Sequence, residues 1–452
     1  MNIYILTEIT KRELDSNLLL ACLAANNNFN VLISNHATIK LLNDKNLLKE
    51  GLFHTKSLVH GDKKKELHEA LKKNNIKISS IDEEAGLVLK DLTSFSKARF
   101  TEDDFKVADK IFCWGKHDHE TLDNLFKNSK SKLILSGSHR FDMMREEFKE
   151  YWNYSKDKIK KITISGNFNL VNGYVHKSKI ISELDKQGYF NRSEKYKQEL
   201  MNIIEDTEKK FHKFIEMLNT VIQHFPNEYF HLRPHPLEKI ETWERHFSKF
   251  KNVNISKEGN INEQMVNSKL LIHNSCTSAF HSFFYNIPTI SYEPVKCISD
   301  YGQPANELSE SVDNVEDLCS LIEKIVSNNY KISNQDVKNN LFKNKVFVSQ
   351  TSYSSEIIVN EWIKLTNKMN KSDLNLKKIK FELLKDKIKN HLTKIAIKIL
   401  KPFKKLYFDK KFEDISEIAI INKIKKIQAI CNINTKLSVT KVSNKCFLIR
   451  KI

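Results

Sequence analysis

The chain has 452 residues, 29% charged and 40% hydrophobic, with 74 Lys+Arg against 56 Asp+Glu and a formal net charge of +18. That composition excludes intrinsic disorder and gives two or three domains enough chain for full cores. The longest apolar run, 18–25, is too short to span a bilayer, and neither GxGxxG nor GxxxxGK[ST] occurs, so both phosphate-cradle fingerprints are excluded.

The opening Met1-Asn2-Ile3-Tyr4-Ile5-Leu6 reads as a buried strand rather than a secretory signal, because no basic segment precedes it. Strands over 3–6, 30–34, 56–59 and 76–81 alternate with helices over 12–26, 37–45 and 63–74. Two further strands follow at 110–114 and 132–136. A polar helical stretch over 141–160 leads into a second array: strand 161–165, helix 193–224, then strands 229–232, 252–255, 269–273 and 289–292. Helix 315–328 and the polar segment 330–340 close it. Strands separated by helices of this length make βαβ units and parallel sheets. The fold expected is α/β: two Rossmann-like domains, 1–150 and 151–345, joined near 145–160 and facing a central cleft. Residues 346–370 return as a helix or linker. In such sheets ligands sit beyond the carboxyl ends of the strands.

Residues 371–452 hold 22 Lys+Arg against 7 Asp+Glu, a net of +15, so the other 370 residues carry only +3. Leu384, Ile388, Leu392, Ile395 and Ile399 recur at helical spacing with lysines between them, up to Pro402. Ile420, Ile424, Ile427 and Ile430 repeat the pattern around Lys423, Lys425 and Lys426. Such a mainly helical basic tail suits the surface of an anionic leaflet. The alternative is a helical appendage packed on the body, its lysines simply solvated. Few aromatics interleave the lysines, which argues against nucleic acid. Seven scattered cysteines, with no CxxC pair, read as free thiols of a reducing cytoplasm.

Four segments at strand ends hold candidate chemistry. In Asp82-Glu83-Glu84 adjacent carboxylates repel, raising the pKa of at least one and making a general acid or base; the plainer alternative is an acidic helix start or solvated loop. His231-Leu232-Arg233-Pro234-His235-Pro236 places a guanidinium and an imidazole on a proline-stiffened turn, suited to clamping phosphate. His273-Asn274-Ser275-Cys276-Thr277-Ser278 brings several hydroxyls to a helix start, more than capping needs, with Cys276 read as packing. Glu293, ending the strand 289–292, is placed to take the hydroxyls of a ribose. His117-Asp118-His119 has no identifiable third ligand, so no metal site is expected.

The order of these segments resembles a known family. Thr7-Glu8 with Arg12-Glu13-Leu14, Asp82-Glu83-Glu84, Phe112-Cys113-Trp114-Gly115, Gly137-Ser138-His139-Arg140-Phe141-Asp142, Ile164-Ser165-Gly166-Asn167-Phe168-Asn169 and Arg233-Pro234-His235-Pro236 together resemble the GT-B glycosyltransferases that use CMP-activated acidic sugars. Those include bacterial sialyltransferases and capsule and O-antigen Kdo transferases; closer still is the bacterial surface carbohydrate biosynthesis protein family. The resemblance covers about residues 1–340 and implies a GT-B fold. It makes Glu84, or else Glu83, the catalytic carboxylate, although Ala85 stands where the short motif has Gly. It places Arg233, His235, Ser275, Thr277, Ser278, Glu293 and Asn167 on the donor and Glu8, Arg12 and Arg140 on the acceptor side.

The activity so implied is transfer of a Kdo- or nonulosonate-type sugar from a CMP donor to a glycan acceptor, lipid-linked at the inner membrane. No resident cofactor is implied, since the nucleotide sugar is a co-substrate and the leaving group needs no Mg²⁺. Three alternatives stand beside it: a CDP-glycerol-type glycerophosphotransferase, a UDP-GlcNAc 2-epimerase-like enzyme, and a non-catalytic scaffold recruited to the membrane. The implied location is cytoplasmic, at the inner face of the plasma membrane through 371–452.

Overall fold

A computed structural model describes residues 1–83, 87–299, 301–370, 372–400 and 414–452, apart from the side chains of 62–63 and 393–400. Among the described residues the chain forms an eight-stranded and a six-stranded sheet. The first contains β1 (Asn2–Leu6), β2 (Asn30–Ser34), β3 (Gly51–Thr55), β4 (Ile76–Ile81), β5 (Lys110–Cys113) and β6 (Leu133–Leu135), all parallel. The second contains β7 (Lys161–Ser165), β8 (Phe230–Arg233), β9 (Val253–Ile255), β10 (Ser268–His273), β11 (Thr289–Tyr292) and β12 (Glu310–Val312), also parallel. This is the expected GT-B-like pair of Rossmann-like sheets.

Strand order fixes where a ligand can sit. The second sheet runs β12-β11-β10-β7-β8-β9, so chain direction reverses between β7 and β10. The first runs β2-β1-β3-β4-β5-β6 through its parallel part and reverses between β1 and β3. Helices diverge to opposite faces at such a reversal and leave a crevice at the carboxyl ends of the strands.

Helices cover both faces of the first sheet, so its strands alternate between two cores. Ile3 and Ile5 of β1 pack against the helices Thr10–Asn26, Ser354–Thr366 and Glu417–Ile430. Tyr4 and Leu6 face the other side, toward His36–Asp44, Asp62–Lys73 and the start of Leu376–Leu400. In the second sheet Ile162 and Ile164 pack with Phe214 and Leu218 of the long helix Glu194–His224 and with Trp243.

Three expectations are corrected. The third strand is Gly51–Thr55, not 56–59: all five of its residues are buried, while Thr55, Ser57 and Val59 make a turn in which the Ser57 hydroxyl accepts from the Val59 amide. The polar stretch 141–160 is a short helix, His139–Asp142, followed by two turns of 3₁₀ helix at Glu146–Phe148 and Glu150–Trp152. The third concerns the described part of 414–452, which is not only helical and packs on the body, as the second of the two readings of the tail had it. The hairpin β13 (Leu437–Ser443) and β14 (Cys446–Lys451) joins the first sheet, with β14 antiparallel to β2. Phe447 and Ile449 enter one core of that sheet, and Cys446 and Leu448 the other. Ile420, Ile424 and Ile427, for which both a membrane surface and packing on the body were open, are buried against the helix Thr10–Asn26. Ile395 and Ile399 (as side chains) and Pro402 lie outside the described residues.

Candidate functional site

The reversal point of the first sheet holds a dense set of charges. Buried Glu13, in the first turn of Thr10–Asn26, accepts the backbone N–H groups of Glu8 at 2.8 Å and Ile9 at 3.2 Å, which fixes the turn leaving β1. Its other oxygen meets Arg12 at 2.9 Å and Lys56, just past β3, at 3.4 Å; Lys56 also pairs with Glu8 at 2.8 Å. Burial alone would raise the Glu13 pKa, but Lys56, Arg12 and the Glu8 amide outweigh it and hold it below the ordinary value.

Asp82-Glu83-Glu84 divides. Asp82 is committed to a two-pronged pair with Arg99, at 2.9 and 3.0 Å. Glu83 is 6% exposed and anchored through its amide to the Lys56 carbonyl. Its carboxylate lies 3.5 Å from His139 Nε2 and 3.4 Å from Arg140 Nη1. Burial raises the Glu83 pKa above the ordinary value against the pull of Arg140. Burial likewise pushes His139 well below its ordinary value, so this imidazole is neutral and the contact is no ion pair. Asn17 fixes its orientation: the amide nitrogen donates to the Leu6 carbonyl and Thr7 hydroxyl, leaving Oδ1 to accept from His139 at 3.2 Å. Glu84 lies outside the described residues.

Two motifs distant in sequence complete this wall. The Trp114 indole donates to the Asp82 carbonyl at 2.9 Å, and the Arg140 guanidinium stands 5.5 Å from the Trp114 ring. Glu8, Arg12, Glu83 and Arg140 therefore share one wall.

On the second sheet β8 ends at Arg233, which donates to the carbonyls of Glu258 and Gly259, both at 2.7 Å. Both terminal nitrogens thus hold the loop after β9, which fixes the direction of the guanidinium. The Leu237 amide donates to His235 Nδ1 at 3.2 Å, which places the ring proton of the neutral imidazole on Nε2. Glu238, fully buried, organises the turn and was not foreseen. It accepts from the amides of Phe168 and His235 at 3.1 and 3.0 Å, the Trp243 indole at 2.8 Å and the Asn172 amide group at 3.4 Å. A carboxylate three residues beyond the first proline-bound histidine was its only sequence signal.

Beyond β10 the backbone folds tightly at the reversal point. The Cys276 amide donates to His273 Nδ1, and the Cys276 thiol meets the Ser165 hydroxyl at the end of β7, 3.3 Å away. Ser275 has φ of +46°, a left-handed conformation that a non-glycine residue adopts at a cost. Gly302 presses on it: a Cβ at Gly302 would lie 2.3 Å from that of Ser275. Thr277 precedes the seven-residue helix Ser278–Phe284 without a side-chain capping bond. The hydroxyls are thus not spent on capping. Among the described residues the Ser278 hydroxyl and the Oδ1 atoms of Asn274 and Asn306 are buried with no protein partner.

Other expected donor residues spread outward. Asn167 donates to the Tyr301 hydroxyl at 2.8 Å. Glu293, at the end of β11, accepts from Ser311 on β12 at 2.5 Å. It stands three strands from Arg233, about 14 Å at ordinary strand spacing, so Glu293 and the His-Pro turn flank the crevice rather than touch. In the HDH triplet, His117 faces Lys345 at 2.9 Å, and Asp118 accepts the Trp114 amide at 3.1 Å. Burial pushes Asp118 up to about 7.

The walls are joined directly. Lys11 and Glu258 pair at 2.8 Å, and the Gly302 amide donates to the Val88 carbonyl at 2.6 Å, with Lys90–Glu307 and Lys195–Asp91 pairs nearby.

No family model and no curated protein matches the chain. Solved structures do. A CDPG-soaked variant of the wall teichoic acid polymerase TagF superimposes with a TM-score of 0.51 at 11% identity, over 81% of this chain and 88% of that one. S. aureus MnaA with UDP matches at 0.45 and 12% identity, over 82% and 98% of the two chains. The Methanocaldococcus jannaschii UDP-GlcNAc 2-epimerase, with UDP-GlcNAc and UDP, matches at 0.44 and 13%, over 80% and 100%. At such identity the likeness concerns the fold.

Proposed function

We propose that the chain is a transferase of cell-surface glycan assembly that releases CMP from an activated donor, and that the donor is of the CDP-glycerol type. The observation that carries this reading is the His235 turn. Its imidazole is held through Glu238 and the Leu237 amide with the proton on Nε2, one strand from the reversal point of the second sheet. An Nε2–H donor there suits the oxygen on which a nucleotide leaving group gathers charge. Across the crevice Glu83, its pKa raised by burial, suits removal of a proton from an acceptor hydroxyl. In the step that follows, the acceptor oxygen bonds to the β-phosphorus and the bridging P–O bond breaks. Glycerophosphate passes to the acceptor, CMP departs, and the acceptor proton goes to Glu83. The fold likeness to a CDPG-soaked polymerase favours this donor.

Transfer of an acidic sugar from a CMP donor is the second reading, supported by the order of the carboxylate and His-Pro segments. It breaks a C–O bond and leaves no phosphorus in the product. Mass spectrometry of products from CDP-glycerol and CMP-ulosonates with a panel of glycan acceptors separates the two. A product gaining glycerophosphate supports the proposal. Turnover of CMP-sugars alone overturns it, as does conversion of UDP-GlcNAc without any acceptor.

A further inference from the structure

The two apolar stripes of the basic C-terminal region have different fates. That of Glu417–Ile430 is spent in the core; that of Leu376–Leu400, over its described side chains, is not. Ile379 and Leu383 dock the first turns of this helix onto the first sheet, with exposures of 0% and 7%. Phe381, Leu384, Ile388 and Leu392 are 55%, 55%, 54% and 61% exposed. At about 100° per residue these four fall in one band on the side away from the docked face.

Charge borders that band on both sides. Lys378, Lys385 and Lys389 follow one edge and Lys380 and Lys387 the other, with Lys377 within it, whereas Glu382 and Asp386 lie off the band. The Lys385 ammonium stands 4.2 Å from the Phe381 ring, its stem along the apolar surface. An apolar band with cationic borders matches one environment, the boundary between acyl chains and anionic headgroups. No described helix is long and apolar enough to cross a membrane. We infer that Leu376–Leu400 lies flat on an anionic lipid surface through Phe381, Leu384, Ile388 and Leu392, while Ile379 and Leu383 hold its first turns to the body. This does not depend on the donor.

The test is sedimentation of the full chain with vesicles of phosphatidylcholine alone or with about a third phosphatidylglycerol, together with measurement of oligomeric state. The wild type is expected to bind the anionic vesicles, to bind the neutral ones at least about tenfold less, and to be released by salt. Leu384→Gln/Ile388→Gln and Lys380→Glu/Lys387→Glu should each weaken binding at least about tenfold, and Ile159→Gln, exposed but off the band, should not. CMP titration of the same variants should match the wild type, so a failure here and a failure of the donor reading are told apart. Equal binding to both vesicles, undiminished binding by the paired variants, or no wild-type binding overturns the inference. So does a wild-type dimer that the apolar pair converts to monomer, which assigns the band to a second copy.

Discussion

Lys11 and Glu258 form a 2.8 Å ion pair that ties the charged wall of the first sheet to the loop after β9 in the second. Lys11 precedes Arg12, and the carbonyl of Glu258 is one of the two that hold Arg233. Glu258 is 80% exposed, so the pair is worth at most about 1 kcal/mol to stability. Lys11→Ala should leave Tm within about 2 °C of the wild type and raise the donor KM roughly three- to tenfold, by melting curves and initial rates. A loss of several degrees without a KM change would show a purely structural pair.

Glu83→Gln should lower kcat about 10²–10⁴-fold while circular dichroism is unchanged. The pH profile carries the sign. A base must be ionised, and burial raises the Glu83 pKa, so activity falls as pH drops through a value above the ordinary glutamate range. That acidic limb should disappear in Glu83→Gln.

Glu238→Ala removes the acceptor shared by the amides of Phe168 and His235 and the Trp243 indole. Orphaning such donors should cost about 3–5 kcal/mol by denaturant unfolding. Glu238→Gln fills the same space but can accept through only one oxygen. It should retain the fold and weaken CMP binding by at least about tenfold in calorimetry.

Asp118 gives a pH dependence of stability. Its folded pKa, raised to about 7 mainly by burial, exceeds the unfolded value, so its contribution is complete at low pH and is lost as pH rises through about 7. Fully realised, the difference from an ordinary aspartate corresponds to about 4 kcal/mol. Asp118→Asn should flatten the stability curve between about pH 4 and 7 and raise Tm at pH 8 by about 3 °C or more.

Phe447→Ala, in the hairpin, should destabilise by about 3–5 kcal/mol, and removal of 437–452 should leave the first sheet open to limited proteolysis. Truncation that left stability intact would contradict the observed docking.

Local sequence pattern carried the alternating sheets well. Strands 30–34, 76–81, 161–165 and 289–292 keep their expected bounds, because each is a short apolar run flanked by amphipathic helices. It failed where composition masked geometry. The alternation of 437–451 sits in a lysine-rich region, and the charge obscured two strands whose inward residues close a core. At the site, the types of residue were legible but their partners were not. Asp82 belongs to Arg99, seventeen residues later, and Arg233 to backbone carbonyls that no motif encodes. Glu238 escaped notice because a lone carboxylate after a turn is ordinary in sequence; only convergence of four donors gives it a role.

The pairing of β14 with β2 sets an order on biogenesis. Residues 30–34 emerge from the ribosome about 400 residues before their outer partner. At roughly 5–20 residues per second that interval lasts tens of seconds, during which β2 presents unpaired N–H and C=O groups. The nascent first domain therefore carries an open edge until the hairpin has been made. Slowing translation between these segments should increase aggregation of the newborn chain, a cost that a hairpin placed earlier would not carry.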